Sequence, residues 1–390
     1  MKRGLWVADG YRWSLWIMGV FLILGMFVGV GSAAEQELRV GAIASTTGNL
    51  LVQGKNLQNG ATMAVDEINQ AGGVNGKKIK LIFENDQSDT GKTQAAAKKL
   101  IYEDKVLAIL GPCGSPQIYA TQQVTEPEKI VLISHVGSGP RLTKEGQKYY
   151  FRNAISAVYQ TMDLLRYAMD KLGYKKFGLA YDPGRTKPDS ELVIKDLSTL
   201  GLKPAAVVEF QTQDVSFNSQ LLKFKAVQPD AVLLLPIVHQ MAAFARQARQ
   251  VGMEARLMGN VAIAYDEYIQ LAGSAAEGTL TAATFNIAMG KDDPKIDKFI
   301  KIYKARFGEN PEHSSAHAYD AVNLLALSMK GLSLKPEDLA KDRQAIRDNL
   351  QKIQNYRGMA GIVSYGPEDY DGYSHPTILE VKGGEWRVVK

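Results

Sequence analysis

The sequence predicts an α/β protein built from two parallel sheets, each covered by helices. Short apolar runs alternate with longer stretches whose apolar residues recur at helical spacing, the order of βαβ units. Two such series follow one another and meet near residue 155, which predicts two similar lobes. The chain has 390 residues, 45% apolar and 22% charged, which is long for one ordinary domain and too apolar for a disordered chain.

In the first series, Leu38 to Ala44 is a short apolar strand. The stretch from Gln53 to Asn69 places Leu57, Ala61, Ala64, Val65 and Ile68 on one helical face, and Gly72 and Gly73 stop it. A strand from Lys77 to Asn85 follows, then a helix capped by Asp89 and Thr90. Val106 to Leu110 and Ile130 to Ser134 are the next strands, with a helix from Gln117 to Glu128 between them. The first of these strands ends in Gly111-Pro112-Cys113-Gly114-Ser115, the second in His135-Val136-Gly137-Ser138-Gly139-Pro140. Ligands of open α/β sheets bind beyond the carboxyl ends of strands, and a helix N-terminus there favours an anion. Ser115 and Ser138 are therefore candidates to hold a small carboxylate.

In the second series, helices are expected over Gln160–Leu172, Asp189–Leu200, Phe217–Val227 and Gln240–Val251. The strands between and after them are Lys176–Tyr181, Ala205–Phe210, Asp230–Pro236, Arg256–Gly259 and Leu280–Phe285. Helices follow at Lys295–Phe307, Ser314–Leu327 and Pro336–Leu350, and Thr377–Lys382 and Glu385–Val389 form a hairpin through Gly383-Gly384.

The net charge of +5 is spread out, with no dense basic block, which argues against nucleic acid. Lys2, Arg3 and Arg12, the apolar run Leu15 to Gly31 and the small residues Ser32-Ala33-Ala34 describe a secretory signal over residues 1–34; the alternative is an uncleaved anchor. Cys113 is the sole cysteine, so no intramolecular disulfide forms, and none lies beside the cleavage point for a lipid anchor. Its bland role is a small buried residue in a tight turn.

Several stretches carry a family resemblance: VGAIASTTG, GATMAVDEINQAGGVNGKKIKLIFENDQSD, ILGPCGS, ISHVGSGPRLT, FRNAISA, PDAVLLL, ARQARQVG and AYDAVNLLALS. On them the chain resembles the periplasmic branched-chain amino-acid binding proteins that feed ABC transporters, of type I periplasmic-binding fold. The resemblance implies two doubly wound lobes joined by three hinge crossings: lobe one over 38–156 and 285–364, lobe two over 157–284 and 365–390. It implies a monomeric periplasmic carrier that closes on a small carboxylate, a hydrophobic amino acid or related organic acid, and passes it to a membrane permease. It implies no cofactor. A ligand-sensing receptor or regulator of the same fold, membrane-anchored or not, is the alternative.

By the same resemblance Ser115 bonds the ligand carboxylate, the Ser138 hydroxyl and the neighbouring backbone, Gly137 included, hold carboxylate and ammonium from the second turn, and Val136 offers its carbonyl to the ammonium. Thr46, Leu51 and Val52 follow the first strand; the family's covering aromatic near Leu51 or Val52 is missing. Across the cleft stand Tyr181-Asp182, Ile237-Val238-His239 and Met258-Gly259-Asn260-Val261, again without the usual aromatic near Val238. The acidic partner of an α-ammonium is replaced by Asn260 or Val261, with Asp182 and Asp266 as possible substitutes. A buried ammonium without a counter-charge is costly, which opens the site to acids that carry no amine. His239 is a candidate pocket residue. His313 and His317, four apart, are too few for a metal site and are expected at the surface or in the cleft. No nucleophile elbow, P-loop, HExxH or GxGxxG is present, so no enzyme is expected.

Overall fold

The computed structural model describes Met1 and residues 37–389, apart from 144–146, 212, 236–237 and 374. The expected signal over 1–34 lies outside the described residues.

In the first half, strands β1 (Leu38–Ile43), β2 (Ile79–Glu84), β3 (Ala108–Leu110), β4 (Val131–Ser134) and β5 (Tyr150–Ile155) alternate with helices α1 (Leu51–Gln70), α2 (Thr90–Tyr102) and α3 (Ser115–Thr125). The cap at Asp89 forms, its side chain accepting from Lys92 N–H. The second half runs α4 (Ala157–Asp170), β6 (Phe177–Tyr181), α5 (Lys187–Thr199), β7 (Ala206–Glu209), α6 (Asn218–Val227), β8 (Ala231–Leu235), α7 (Val238–Gln250), β9 (Arg256–Gly259), α8 (Asp266–Ala272) and β10 (Leu280–Ala283). Helices α9 (Pro294–Phe307), α10 (His313–Met329) and α11 (Leu339–Leu350) follow. The chain ends in β11 (Tyr356–Arg357), β12 (Ile362–Val363), β13 (Asp371–Tyr373), β14 (Thr377–Val381) and β15 (Trp386–Val388).

The first sheet is ordered β13-β5-β4-β3-β1-β2 and is parallel throughout. The second is ordered β15-β14-β10-β9-β8-β6-β7, parallel except at the terminal hairpin, whose strand β14 runs antiparallel to β10. Each sheet is covered on both faces. Alternate residues of β4 show this: Val131 and Ile133 join the core with Leu57 and Ala61 of α1 and Val322 and Leu325 of α10. Leu132 joins Ala97 and Leu100 of α2 and Ile118 of α3. In the second sheet, Leu233 and Leu235 meet Leu164 of α4 and Val193 of α5, while Val232 and Leu234 meet Phe224 of α6 and Phe244 of α7.

The chain passes between the sheets after Ile155, after Ala283 and after Tyr373. The last passage corrects an expectation: 365–373 were assigned to lobe two, yet β13 pairs with β5 in the first sheet. Strand β5 itself and the β11–β12 pair were not anticipated. Residues 336–338 are a 3-10 turn ahead of α11, where one helix was expected.

Helices α1 and α10 touch because Gly60 has no side chain. A Cβ there would lie 2.2 Å from the Ser315 carbonyl oxygen and 3.1 Å from Ala318 Cβ. Gly60→Ala should force the helices apart and destabilise the protein by about 1–3 kcal/mol, the usual range for overpacking. Thermal unfolding followed by circular dichroism would show it; an unchanged midpoint would mean that the helices do not pack this closely.

Candidate functional site

The ends of β1, β3 and β4 share one edge of the first sheet because the three strands are parallel and adjacent. Ser115 is the first residue of α3, preceded by Gly114 as N-cap and followed by Pro116 in the first turn. The second turn folds against it. Gly137 has φ +99°, a conformation L side chains rarely adopt, and a Cβ there would strike Ile118 Cδ1 at 2.4 Å. A Cβ on Gly139 would lie 3.2 Å from Ser115 Oγ. The two serine-bearing turns therefore meet, and Ser115, Val136, Gly137 and Ser138 are all half-buried there. The Ser138 carbonyl accepts from Ala157 N–H, which ties this turn to the start of α4. Thr46 is half-buried at the same edge, and Leu51 and Val52 are exposed on the first turn of α1.

Arg152, overlooked in the sequence, supports the second turn from within. It is fully buried in β5. Its guanidinium donates to the carbonyls of Gly137 at 3.0 Å and Gly139 at 2.9 Å and to Thr143 Oγ1 at 3.3 Å. Its Nε lies 2.7 Å from the Asp371 carboxylate in β13. Burial raises the Asp371 pKa, and the Arg152 charge opposes that rise.

Cys113 is buried and its sulfur accepts from Ser45 N–H at 3.4 Å. Burial pushes its thiol up to about 12, which leaves it inert as a nucleophile at neutral pH.

The opposite group fares differently. Tyr181 ends β6, but its hydroxyl donates to Glu209 Oε1 at 2.6 Å on the adjacent edge strand β7. Val238 and His239 were expected at a strand end; α7 begins at Val238, two residues ahead of its expected start at Gln240. Val238 packs on the core shared with α7 and α8, and exposed His239 lies 3.6 Å from Glu267. Ile237 is outside the described residues.

Asn260 caps the short 3-10 turn Val261–Ile263. Its side-chain oxygen accepts from Ala262 N–H at 3.1 Å, and its carbonyl accepts from Thr281 Oγ1 at 2.9 Å. The amide oxygen that would face an ammonium thus already accepts one backbone hydrogen bond and keeps one lone pair. Of the two suggested substitutes, Asp182 is buried and accepts from Gly184 N–H at 2.8 Å, and burial raises the pKa of Asp266. Neither is committed to a ligand by its geometry.

His313 and His317, expected at the surface or in the cleft, are buried: they are 8% and 1% exposed. His313 packs at a tilt of 53° against Tyr265 with ring centroids 4.8 Å apart, and His317 Nε2 lies 2.7 Å from Thr284 Oγ1. Tyr265 and Thr284 follow β9 and β10, so these contacts bridge the two sheets. A third buried histidine, His135, follows β4 directly and was not singled out. Among the described residues no group of three His, Cys, Asp or Glu is placed to hold a metal ion.

A family model for periplasmic binding proteins matches residues 37–385. The chain is 28% identical over 320 residues to the leucine-, isoleucine-, valine-, threonine- and alanine-binding protein of Pseudomonas aeruginosa, covering 82% of this chain and 84% of that one. It is 25% identical over 335 residues to the leucine-specific-binding protein of Salmonella typhimurium, covering 83% and 87%. A branched-chain amino acid transporter substrate binding protein from Streptococcus pneumoniae, crystallised with isoleucine, shares the fold with a TM-score of 0.80 and 26% identity, covering 91% of this chain and 99% of that one. These relatives are binding proteins and not enzymes.

Proposed function

We propose, from the premise that this chain belongs to the periplasmic binding protein family, that it captures a small carboxylate in the periplasm and delivers it to an ABC permease. The observation that carries the reading is the meeting of the Ser115 helix start with the Val136–Ser138 turn, a cradle of N–H groups and hydroxyls suited to one carboxylate. Lobe one, residues 38–156 and 285–373, supplies this grip. Lobe two, residues 157–284 and 375–390, closes over the rest of the ligand, with Asn260 and Tyr181 at its edge. The protein works as a monomer, exported by its N-terminal signal, and Thr46 and Val52 form the lip of the cleft.

Relatives bind branched-chain amino acids, and this chain takes either such an amino acid or an acid of similar size. A thermal-shift screen of leucine, isoleucine and valine against amine-free acids identifies the class, since a ligand that binds only the folded state raises the melting temperature. With the best ligand, the double variant Ser115→Ala, Ser138→Ala should lose about 3–6 kcal/mol of binding, two charge-assisted hydrogen bonds of about 1.5–3 kcal/mol each. Unchanged affinity by calorimetry would refute the carboxylate role.

A further inference from the structure

Four buried side chains at the seam between the sheets carry polar atoms without a hydrogen-bond partner among the described residues: His135 Nδ1, His313 Nε2, His317 Nδ1 and Asn153 Oδ1. Their residues are 1%, 8%, 1% and 0% exposed. Buried polar groups are rarely left so, and each one calls for a partner. Asn153 donates to the His317 carbonyl, and the His313 and His317 rings are 6.3 Å apart, so these three adjoin one another. Burial holds the three imidazoles neutral near pH 7.

The tautomer of His135 follows from its neighbour. Its Nε2 lies 3.4 Å from the Gln53 carbonyl oxygen, which can only accept, so Nε2 carries the proton and Nδ1 presents a lone pair. That lone pair belongs to the residue immediately before Val136, next to the carboxylate turn. It calls for a donor. An ammonium would enter without a counter-charge from neutral rings, at high desolvation cost. A hydroxyl brings the same proton without the charge.

We propose that His135 Nδ1 receives a hydroxyl of the bound ligand, so that the ligand is a hydroxy carboxylic acid held by its carboxylate at Ser115 and the 136–138 turn. This rests on the carboxylate reading. The test is calorimetry with matched probes: 2-hydroxy-4-methylpentanoate, 4-methylpentanoate and leucine, and 4-hydroxybenzoate against benzoate. At least one hydroxy acid should bind about tenfold or more tighter than its twin without the hydroxyl, and tighter than leucine. His135→Phe should abolish that ratio while the twin keeps its affinity. Equal binding of both twins, a ratio that survives His135→Phe, or tighter binding of leucine overturns the proposal and leaves the carboxylate grip intact. No binding by any of the five removes both readings. Should His135→Phe not fold, nitrogen-15 NMR of the wild-type histidines decides: one unprotonated ring nitrogen should shift with the hydroxy acid and not with its twin, and no shift overturns the proposal.

Discussion

Arg152→Ala should be the most damaging single substitution within the first sheet, lowering stability by about 3–5 kcal/mol. The reason is the number of groups that lose their partner at once. Asp371 would keep a largely desolvated carboxylate, 16% exposed, with no cation beside it, and the carbonyls of Gly137 and Gly139 would lose their donors. Arg152→Lys should recover little, because a single ammonium cannot reproduce a planar fork that reaches three acceptors while facing the Asp371 carboxylate. Ligand affinity should fall with stability, since the released turn carries Ser138. Urea denaturation of the single variants and of Arg152→Ala with Asp371→Ala gives the coupling directly. The double variant should be less unstable than the two single losses added together. A wild-type midpoint for Arg152→Ala would exclude this role.

Acid should act on the protein through its buried histidines. Burial lowers His135 to about 3 and His313 to about 4, and it holds His317 well below the ordinary value near 6.5. Neutral in the fold, each is protonated in the unfolded chain once the pH drops below about 6.5. Their contribution is complete above that value and is lost as pH falls, at up to about 1.4 kcal/mol per unit for each ring. Two carboxyls act with the opposite sign. Glu312 is pushed up to about 8 by burial and by Asp266, Glu309 and Glu267, and burial takes Asp320 to about 6. Their contributions are full below the unfolded carboxyl values and disappear as pH rises through about 6 and about 8. Substitution separates the two sets. His317→Asn should cost stability at pH 7, and its deficit should shrink by about 1.4 kcal/mol per unit between pH 6.5 and 4.5. Glu312→Gln should gain on the wild type as pH rises from 4.5 to 8. Denaturation midpoints at several pH values test both, and parallel curves would show that these groups titrate alike in both states.

Most helices and strands were legible because their apolar spacing and their glycine or aspartate stops agree. Strand β5 was not, since Arg152 and Asn153 interrupt its apolar run and read as exposed. Their burial depends on Asp371 and on the His317 carbonyl, far along the chain. The turns that carry Ser115 and Ser138 were legible because each apolar strand gives way within five residues to glycine and serine. Residues beyond the second sheet's strands were harder. A strand end can be recognised, but the direction of its side chain depends on the neighbouring strand, as Glu209 decides for Tyr181. At Val238 the helix started earlier than its periodicity suggested, which drew the residue into the core. His135 resembles any histidine after a strand, and only its neighbours show that one nitrogen lacks a partner.

The placement of β13 at the edge of the first sheet has a consequence for the order in which the protein can be made. Synthesis delivers Arg152 long before Asp371, so the buried cation spends most of elongation without its counter-ion. The same delay applies to the second sheet, whose β14 and β15 come last. The edge of the first sheet and the terminal hairpin of the second are thus both completed by residues from the last part of the chain.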